Sequence, residues 1–182
     1  MWVAAVTKPA CPPASIHQHL WGYYPGMPDA ERPFLYRSLG ETMLLLSRVK
    51  PACPATHIAD RIQAGRVYQF DVLASPRNGK SHKNHTENKY TFLRGNDRIR
   101  QWFGRRLHGA EATFVQVFDR PDVVFKHSRG RQICRPACII RGTVSVLDRA
   151  EFIATLLRGI GGGGVWGFGL MVLPEVMACS HS

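Results

Sequence analysis

The sequence predicts an α+β protein built from two tandem ferredoxin-like (RRM-like) domains. Three observations lead there. Short apolar runs with strand character and fewer helical stripes follow one another in a β-α-β-β-α-β order. The order recurs in pattern, though not in residues, along a chain of 182 residues, a length that suits two small domains. A polar, basic stretch separates the halves. The predicted units are residues 1–75, a basic linker at 76–89, and residues 90–182.

Residues 2–7 read as a first strand. Ser15 and Gln18 have capping-box spacing, so a helix is expected to run to Tyr24 and stop at Pro25-Gly26. Residues 34–37 and 42–49 read as strands joined through Gly40. Residues 55–64 suggest a short, weak helix ended by Gly65. Val67, Tyr68, Phe70, Val72 and Leu73 make 66–74 a strand that closes the first half. In the second half, 90–93 reads as a strand. Asn96 is placed to cap a helix through Leu107, with Ile99, Trp102, Phe103 and Leu107 on one face. Residues 112–118, 123–126 and 139–147 read as strands. Asp148 caps a helix with Glu151 three residues on, and Phe152, Ile153, Leu156 and Leu157 form its apolar face. Gly159 ends that helix, and 168–173 is the last strand.

Composition narrows the function. Apolar residues are 45% of the chain, enough for a core. Lys and Arg number 24 against 13 Asp and Glu, a net charge of +11. An excess of this size favours nucleic acid or another polyanion as partner. The five cysteines lack C-x-x-C spacing and are expected to be reduced thiols of an intracellular, cytoplasmic protein. Residues 1–6 lack a basic start and run into prolines, so no signal peptide is expected. No apolar run approaches membrane-spanning length. His82 and His85 lie in the polar stretch without a nearby Cys or acidic partner set, and are expected to be solvated. The acids are spread singly, so neither metal nor cofactor is expected.

The densest signal is the segment from Gly159 to Gly169, with seven glycines in eleven residues. Glycine is costly inside regular structure. A cluster framed by core elements therefore suggests a backbone that passes very close to something, and exposed N–H groups in such loops cradle phosphates. The competing reading is a flexible linker. A second basic feature is the segment 126–135, which reads as a hairpin carrying Lys126, Arg129, Arg131 and Arg135. The basic linker adds Arg77 and Lys80.

Three segments together resemble one family. Ile16-His17-Gln18-His19-Leu20-Trp21, with Pro28-Asp29-Ala30 and Phe34-Leu35-Tyr36, is similar to an L-H-Q-x-L-W, P-D-A and F-L-F pattern. Phe70 to Pro76 is similar to a strand end F-R-L-R-A-N-P. The glycine segment is similar to G-I-G-x-x-K-x-x-G-x-G-L-L. In order and spacing the chain resembles the CRISPR repeat-RNA endoribonucleases of the type I-E Cascade system, the CasE family. The resemblance implies two ferredoxin-like domains. It implies binding of a CRISPR repeat stem-loop and one metal-independent cut, by attack of a ribose 2′-OH on the adjacent phosphate. The products are a 2′,3′-cyclic phosphate and a 5′-OH. It further implies that the protein stays on the mature crRNA as a Cascade subunit, with the crRNA-backbone subunit as its main protein partner.

The resemblance selects His17 as the catalytic residue. Helix geometry agrees that only one of two histidines can serve: His19 is about 200° around the helix from His17. The RNA-facing candidates are Lys126, Arg129, Arg131, Arg135, Arg158, Arg77, Lys80 and the loop glycines Gly159, Gly161, Gly163, Gly167 and Gly169. Two departures from the family pattern stand out. Ala14 occupies a position where some members carry Tyr, with Tyr23 or Tyr24 as substitutes. Gly164 stands where the loop of the family is basic, with Arg158 as a replacement, and a lysine restored there is expected to speed cleavage. These departures motivate an alternative, a slow or inert repeat-binding subunit. A general RNA-binding protein with paired RRM-like folds is disfavoured, because no RNP1 string occurs.

Overall fold

The computed structural model describes residues 1–27, 32–79, 90–126 and 132–178. The first half contains β1 (Trp2–Thr7), α1 (Pro13–Trp21), β2 (Phe34–Leu39), β3 (Thr42–Ser47) and β4 (Thr56–His57). These strands form an antiparallel sheet in the order β2-β3-β1-β4. Then come β5 (Val67–Ala74), β6 (Arg77–Gly79), β7 (Tyr90–Phe92), α2 (Asn96–Gly104), β8 (Ala110–Lys126), β9 (Gln132–Val146), α3 (Arg149–Arg158), β10 (Met171–Val172) and α4 (Pro174–Met177). The second sheet has the order β10-β5-β9-β8. Counted within its own half, each sheet runs fourth-first-third-second, the ferredoxin-like order. The predicted fold class holds.

Strand membership is corrected. β5 does not close the first sheet; it opens the second, pairing with β9 from Val67↔Ser145 to Ala74↔Cys138. A first unit at 1–75 therefore assigns one strand to the wrong sheet. The reason lies upstream. Pro51 and Pro54 break the segment before β4, and no helix forms at 55–64. The two-residue β4 takes the fourth place instead, followed by a single 3-10 turn at Ala59–Arg61. The strand expected at 90–93 also belongs elsewhere: β7 pairs only with β6, as a two-stranded ribbon set between β5 and α2.

Three smaller expectations change as well. Ser15 caps nothing; α1 starts earlier, at Pro13, where a fixed φ suits the first helical turn. Asn96 lies inside α2, and Gly95 precedes it without a side-chain cap. Residues 112–118 and 123–126 are one strand, interrupted by irregularities at Ala112/Phe114 and Arg120/Val123. In the second, Pro121 and Asp122 lie opposite Pro136. Neither proline can donate to the ladder, so the strands bulge rather than stop. Asp148 behaves as expected, its carboxylate accepting from the Glu151 backbone N–H at 3.0 Å.

The first sheet is buried on both faces. Ala4, Val6, Met43 and Leu45 join Leu20 and Tyr24 under α1. Val3, Leu35, Leu44 and Leu46 point the other way, into a core shared with Phe70, Trp102, Phe103 and Phe152. The unbroken apolar run from Met43 to Leu46 is the sequence mark of such a strand. A charged tie crosses the same seam. The buried Arg37 of β2 pairs with Asp71 of β5 and also donates to the Asp71 carbonyl at 3.0 Å. Arg141 of β9 donates to the same carboxylate at 2.6 Å.

Candidate catalytic and RNA-binding site

α1 positions the histidines on opposite sides. His17 is half-buried, its ring centroid 5.7 Å from Phe34 and 6.1 Å from Trp21. His19 is exposed and lies 6.4 Å from Tyr23. The His17 Nε2 is buried and has no hydrogen-bond partner among the described residues. Burial holds its imidazole below the usual 6.5, and the charge of Arg32 pushes the same way. At neutral pH the ring is therefore uncharged, the form that can accept a proton. Neither expected tyrosine substitute faces it. Tyr24 is buried and stacked on Phe34 at 4.9 Å, and Tyr23 sits with His19.

The glycine segment packs against this histidine's helix. Its central turn, Gly164–Trp166, meets both α1 and β2. Its ends are tied together by the Ile160 N–H to the Gly169 carbonyl, 2.8 Å, and to β5 by the Gly169 N–H to the Leu73 carbonyl, 2.8 Å. The buried Tyr36 hydroxyl donates to the Val165 carbonyl at 2.7 Å and fixes the turn. The linker reading fails on these bonds. The five glycines singled out above, Gly159, Gly161, Gly163, Gly167 and Gly169, are the loop positions with positive φ.

Close approach is real, but the partner is the protein itself. A Cβ on Gly161 would lie 2.6 Å from Trp102 Cζ2, and one on Gly167 would lie 3.1 Å from Tyr36 Cε2. At Gly162 and Gly164, where φ is ordinary, an added Cβ would collide with the guanidinium groups of Arg77 and Arg32 respectively. The loop glycines are thus needed for backbone shape and for packing, and two of them make room for arginines.

On one side of the loop opens a cleft of about 320 Å³. Arg77, Arg158, Gly159 and Gly161, all expected at the RNA-facing surface, line it together with Trp102, Arg106 and His108. Among the described residues no carboxylate does. Arg106 lies over the Trp102 ring, 4.4 Å from its centroid. Burial lowers the Arg106 pKa, and the charges of Arg105 and Arg77 lower it further. Arg158 donates to Thr155 Oγ1 at 3.1 Å. Like charges gathered without acids favour an anionic occupant.

The basic hairpin is only partly described. β8 and β9 close on the pair Lys126↔Gln132, and Arg135 pairs in register with Val123. Arg129 and Arg131 lie outside the described residues, as do Lys80, His82 and His85. Among the described residues no group of three His, Cys, Asp or Glu side chains could hold a metal ion, and no helix is long and apolar enough to cross a membrane.

Sequence reasoning missed Arg32, Tyr36, Arg106 and His108 as site residues. Trp102 was read as core only. Arg106 and His108 had a signal, since they follow Trp102 at the end of α2. Arg32 had none, because Gly164 is far away along the chain.

Two ferredoxin-like sheets, a half-buried histidine and a basic cleft with no carboxylate among its described lining residues make a site suited to a polyanion. The family is shown directly: residues 4–174 match the family described as CRISPR associated protein, and the chain belongs to it. Solved structures share the fold. One, the CRISPR endoribonuclease Cse3 bound to a 19 nt RNA, superimposes with a TM-score of 0.78 at 20% identity, covering 95% of this chain and 99% of that one. The CRISPR-associated protein Cas6e from Escherichia coli str. K-12 gives 0.74 at 20% identity, covering 95% and 98%. A chain of a CRISPR RNA-guided surveillance complex gives 0.71 at 21% identity, covering 95% and 98%. No curated protein matches the sequence. The match agrees with the resemblance to the CasE endoribonucleases read from the motifs.

Proposed function

We propose that the protein is a CRISPR repeat-RNA endoribonuclease that cuts without a metal ion. The observation that carries this reading is His17: a neutral imidazole whose buried Nε2 has no partner among the described residues, on the helix α1 that packs against the glycine turn. His17 accepts the proton of the ribose 2′-OH. The 2′-oxygen then bonds to the adjacent phosphorus, the bond to the 5′-oxygen breaks, and the imidazolium returns its proton to that oxygen. The products are a 2′,3′-cyclic phosphate and a 5′-OH. General acid-base catalysis of this kind contributes about 10²–10⁴-fold. The basic cleft and the β8–β9 hairpin, with Lys126, Arg129, Arg131 and Arg135, hold the stem. The fold shared with RNA-bound Cse3 supports the substrate class, and the surveillance-complex chain supports a lasting place on crRNA among other Cascade subunits.

The test uses the CRISPR repeat stem-loop encoded beside the gene. Cleavage proceeds in EDTA and stops when the nucleotide before the cut carries a 2′-deoxy ribose. Activity lost in EDTA and restored by Mg²⁺ contradicts the mechanism. A second reading, a binding subunit that does not cut, is favoured by one observation: Ala14 stands where a tyrosine is found in some relatives, and neither Tyr23 nor Tyr24 faces His17. Tight binding of the repeat without cleavage would establish it.

A further inference from the structure

We propose that Arg32 is a catalytic residue of the reaction above: its guanidinium binds the scissile phosphate and offsets the charge that builds there as the 2′-oxygen attacks. The inference rests on that reading of the function and adds to it a residue that the motifs did not single out.

Arg32 lies just before β2, in the first half, whereas the turn it reaches belongs to the second. Its guanidinium sits against Gly164, where a Cβ would come within 2.9 Å of both Cζ and Nη1 and closer still to Nη2. Glycine at 164 is therefore room for the arginine. The turn beneath is fixed from both sides, by the Tyr36 hydroxyl on the Val165 carbonyl and by the packing of α1. The guanidinium is thus held in place by the fold.

Arg32 is half-buried, and among the described residues no carboxylate pairs with it. The Tyr36 phenol acts on its charge, and burial keeps that phenol protonated and neutral. Removing a guanidinium from water without an opposite charge is unfavourable. Its charge also acts on His17, whose Nε2 has no partner among the described residues. The helix that carries this base and the guanidinium of Arg32 thus both adjoin the glycine turn. In-line attack on a phosphodiester needs that pair: one group to take the 2′-OH proton, the other to stabilise the extra charge on the non-bridging oxygens. Arg32 itself gains and loses no bond. Arg158 does not fill this place, because it lines the cleft with Arg77 and Trp102.

The experiment measures single-turnover cleavage and binding of the repeat stem-loop by wild type, Arg32→Gln, Gly164→Lys and the double variant. Arg32→Gln keeps most of the side-chain volume and loses the charge. Its rate at saturating protein falls about 10²–10³-fold, the effect of removing one transition-state donor, well beyond the weakening of Kd expected from one lost phosphate contact. Gly164→Lys alone does not speed cleavage, because the added side chain meets Arg32; this reverses the expectation from the sequence. In the double variant the lysine enters the vacated space and recovers part of the lost rate. That recovery is a readout that a purely structural arginine would not give. Arg32→Gln cutting at the wild-type rate, or a double variant no faster than Arg32→Gln, overturns the role of Arg32 while cleavage by wild type stands. A wild-type protein that binds and never cuts removes the reaction itself, and the assignment with it.

Discussion

The two halves of the molecule share a strand order and differ in completeness. The second is a full β-α-β-β-α-β unit, with β5 and β9 paired over eight residues and two helices of ordinary length. The first has, among its described residues, one α-helix, α1, and only the 3-10 turn at Ala59–Arg61 where a second helix would stand; the fourth strand is two residues long in both halves. It nevertheless holds His17 and Arg32. What lets an abbreviated half carry them is the shared core: one face of its sheet is covered by α1, the other by the second half. The proposed mechanism therefore places the chemistry on the half that depends on its neighbour, at the seam where the glycine turn of the second half meets α1. The complete half supplies the basic cleft. On that reading, catalysis and RNA holding would be divided between them.

The seam can be broken at its charged tie. Asp71→Ala leaves the buried Arg37 without its carboxylate and removes the partner of Arg141. A buried pair broken from one side costs about 3–5 kcal/mol. The loss should fall near the low end, since the Arg37 bond to the Asp71 backbone survives. Urea unfolding should show the lower midpoint and still a single transition. Two separated transitions would mean that the halves have independent cores.

The glycine turn can be broken next. Gly161→Val forces a β-branched residue into positive φ, about 1–2 kcal/mol, and drives its side chain into the buried Trp102, about 1–3 kcal/mol more through overpacking. Thermal denaturation should register the loss in the protein without RNA. Had the glycines served only to admit the RNA backbone, stability would be unchanged and binding alone would suffer.

The smallest effects separate the two histidines. In the proposed mechanism neutral His17 is the active form, and its pKa is lowered, so the rate should hold as pH falls through 6.5 and decline only below it. His19→Ala, on the exposed side of α1, should leave both the rate and that acid limb in place. A limb above 6.5, or one that moves in His19→Ala, would assign the proton transfer to another group.

Much of the fold was legible because it is written in short-range pattern. The alternation at Tyr68, Phe70 and Val72 marks a strand, and Asp148 with Glu151 marks a helix start; both were read from neighbours in sequence. Which sheet a strand joins is not local. β5 finds β9 some seventy residues on, and nothing in Val67–Ala74 names that partner. Residues 112–118 and 123–126 read as two strands in sequence, and the irregularity between Arg120 and Val123 shows as a bulge in one strand only once the pairing with β9 is known. The site divides the same way. His17 was legible from its motif and its helix face, and the glycine segment from its density. Arg32 was not, because its meaning lies in Gly164, and a glycine that makes room for a distant side chain looks like any other glycine.

The division of labour is tested most directly by comparing His17→Ala with Arg158→Ala on the repeat stem-loop, with single-turnover rate and Kd measured at two salt concentrations. His17→Ala should lose about 10²–10⁴-fold in rate and keep its affinity, because proton transfer acts only in the transition state. Arg158→Ala should bind more weakly, with a salt slope shallower by roughly one counterion, and cut at a near wild-type rate once saturated. Variants that lose rate and affinity in parallel would contradict the account.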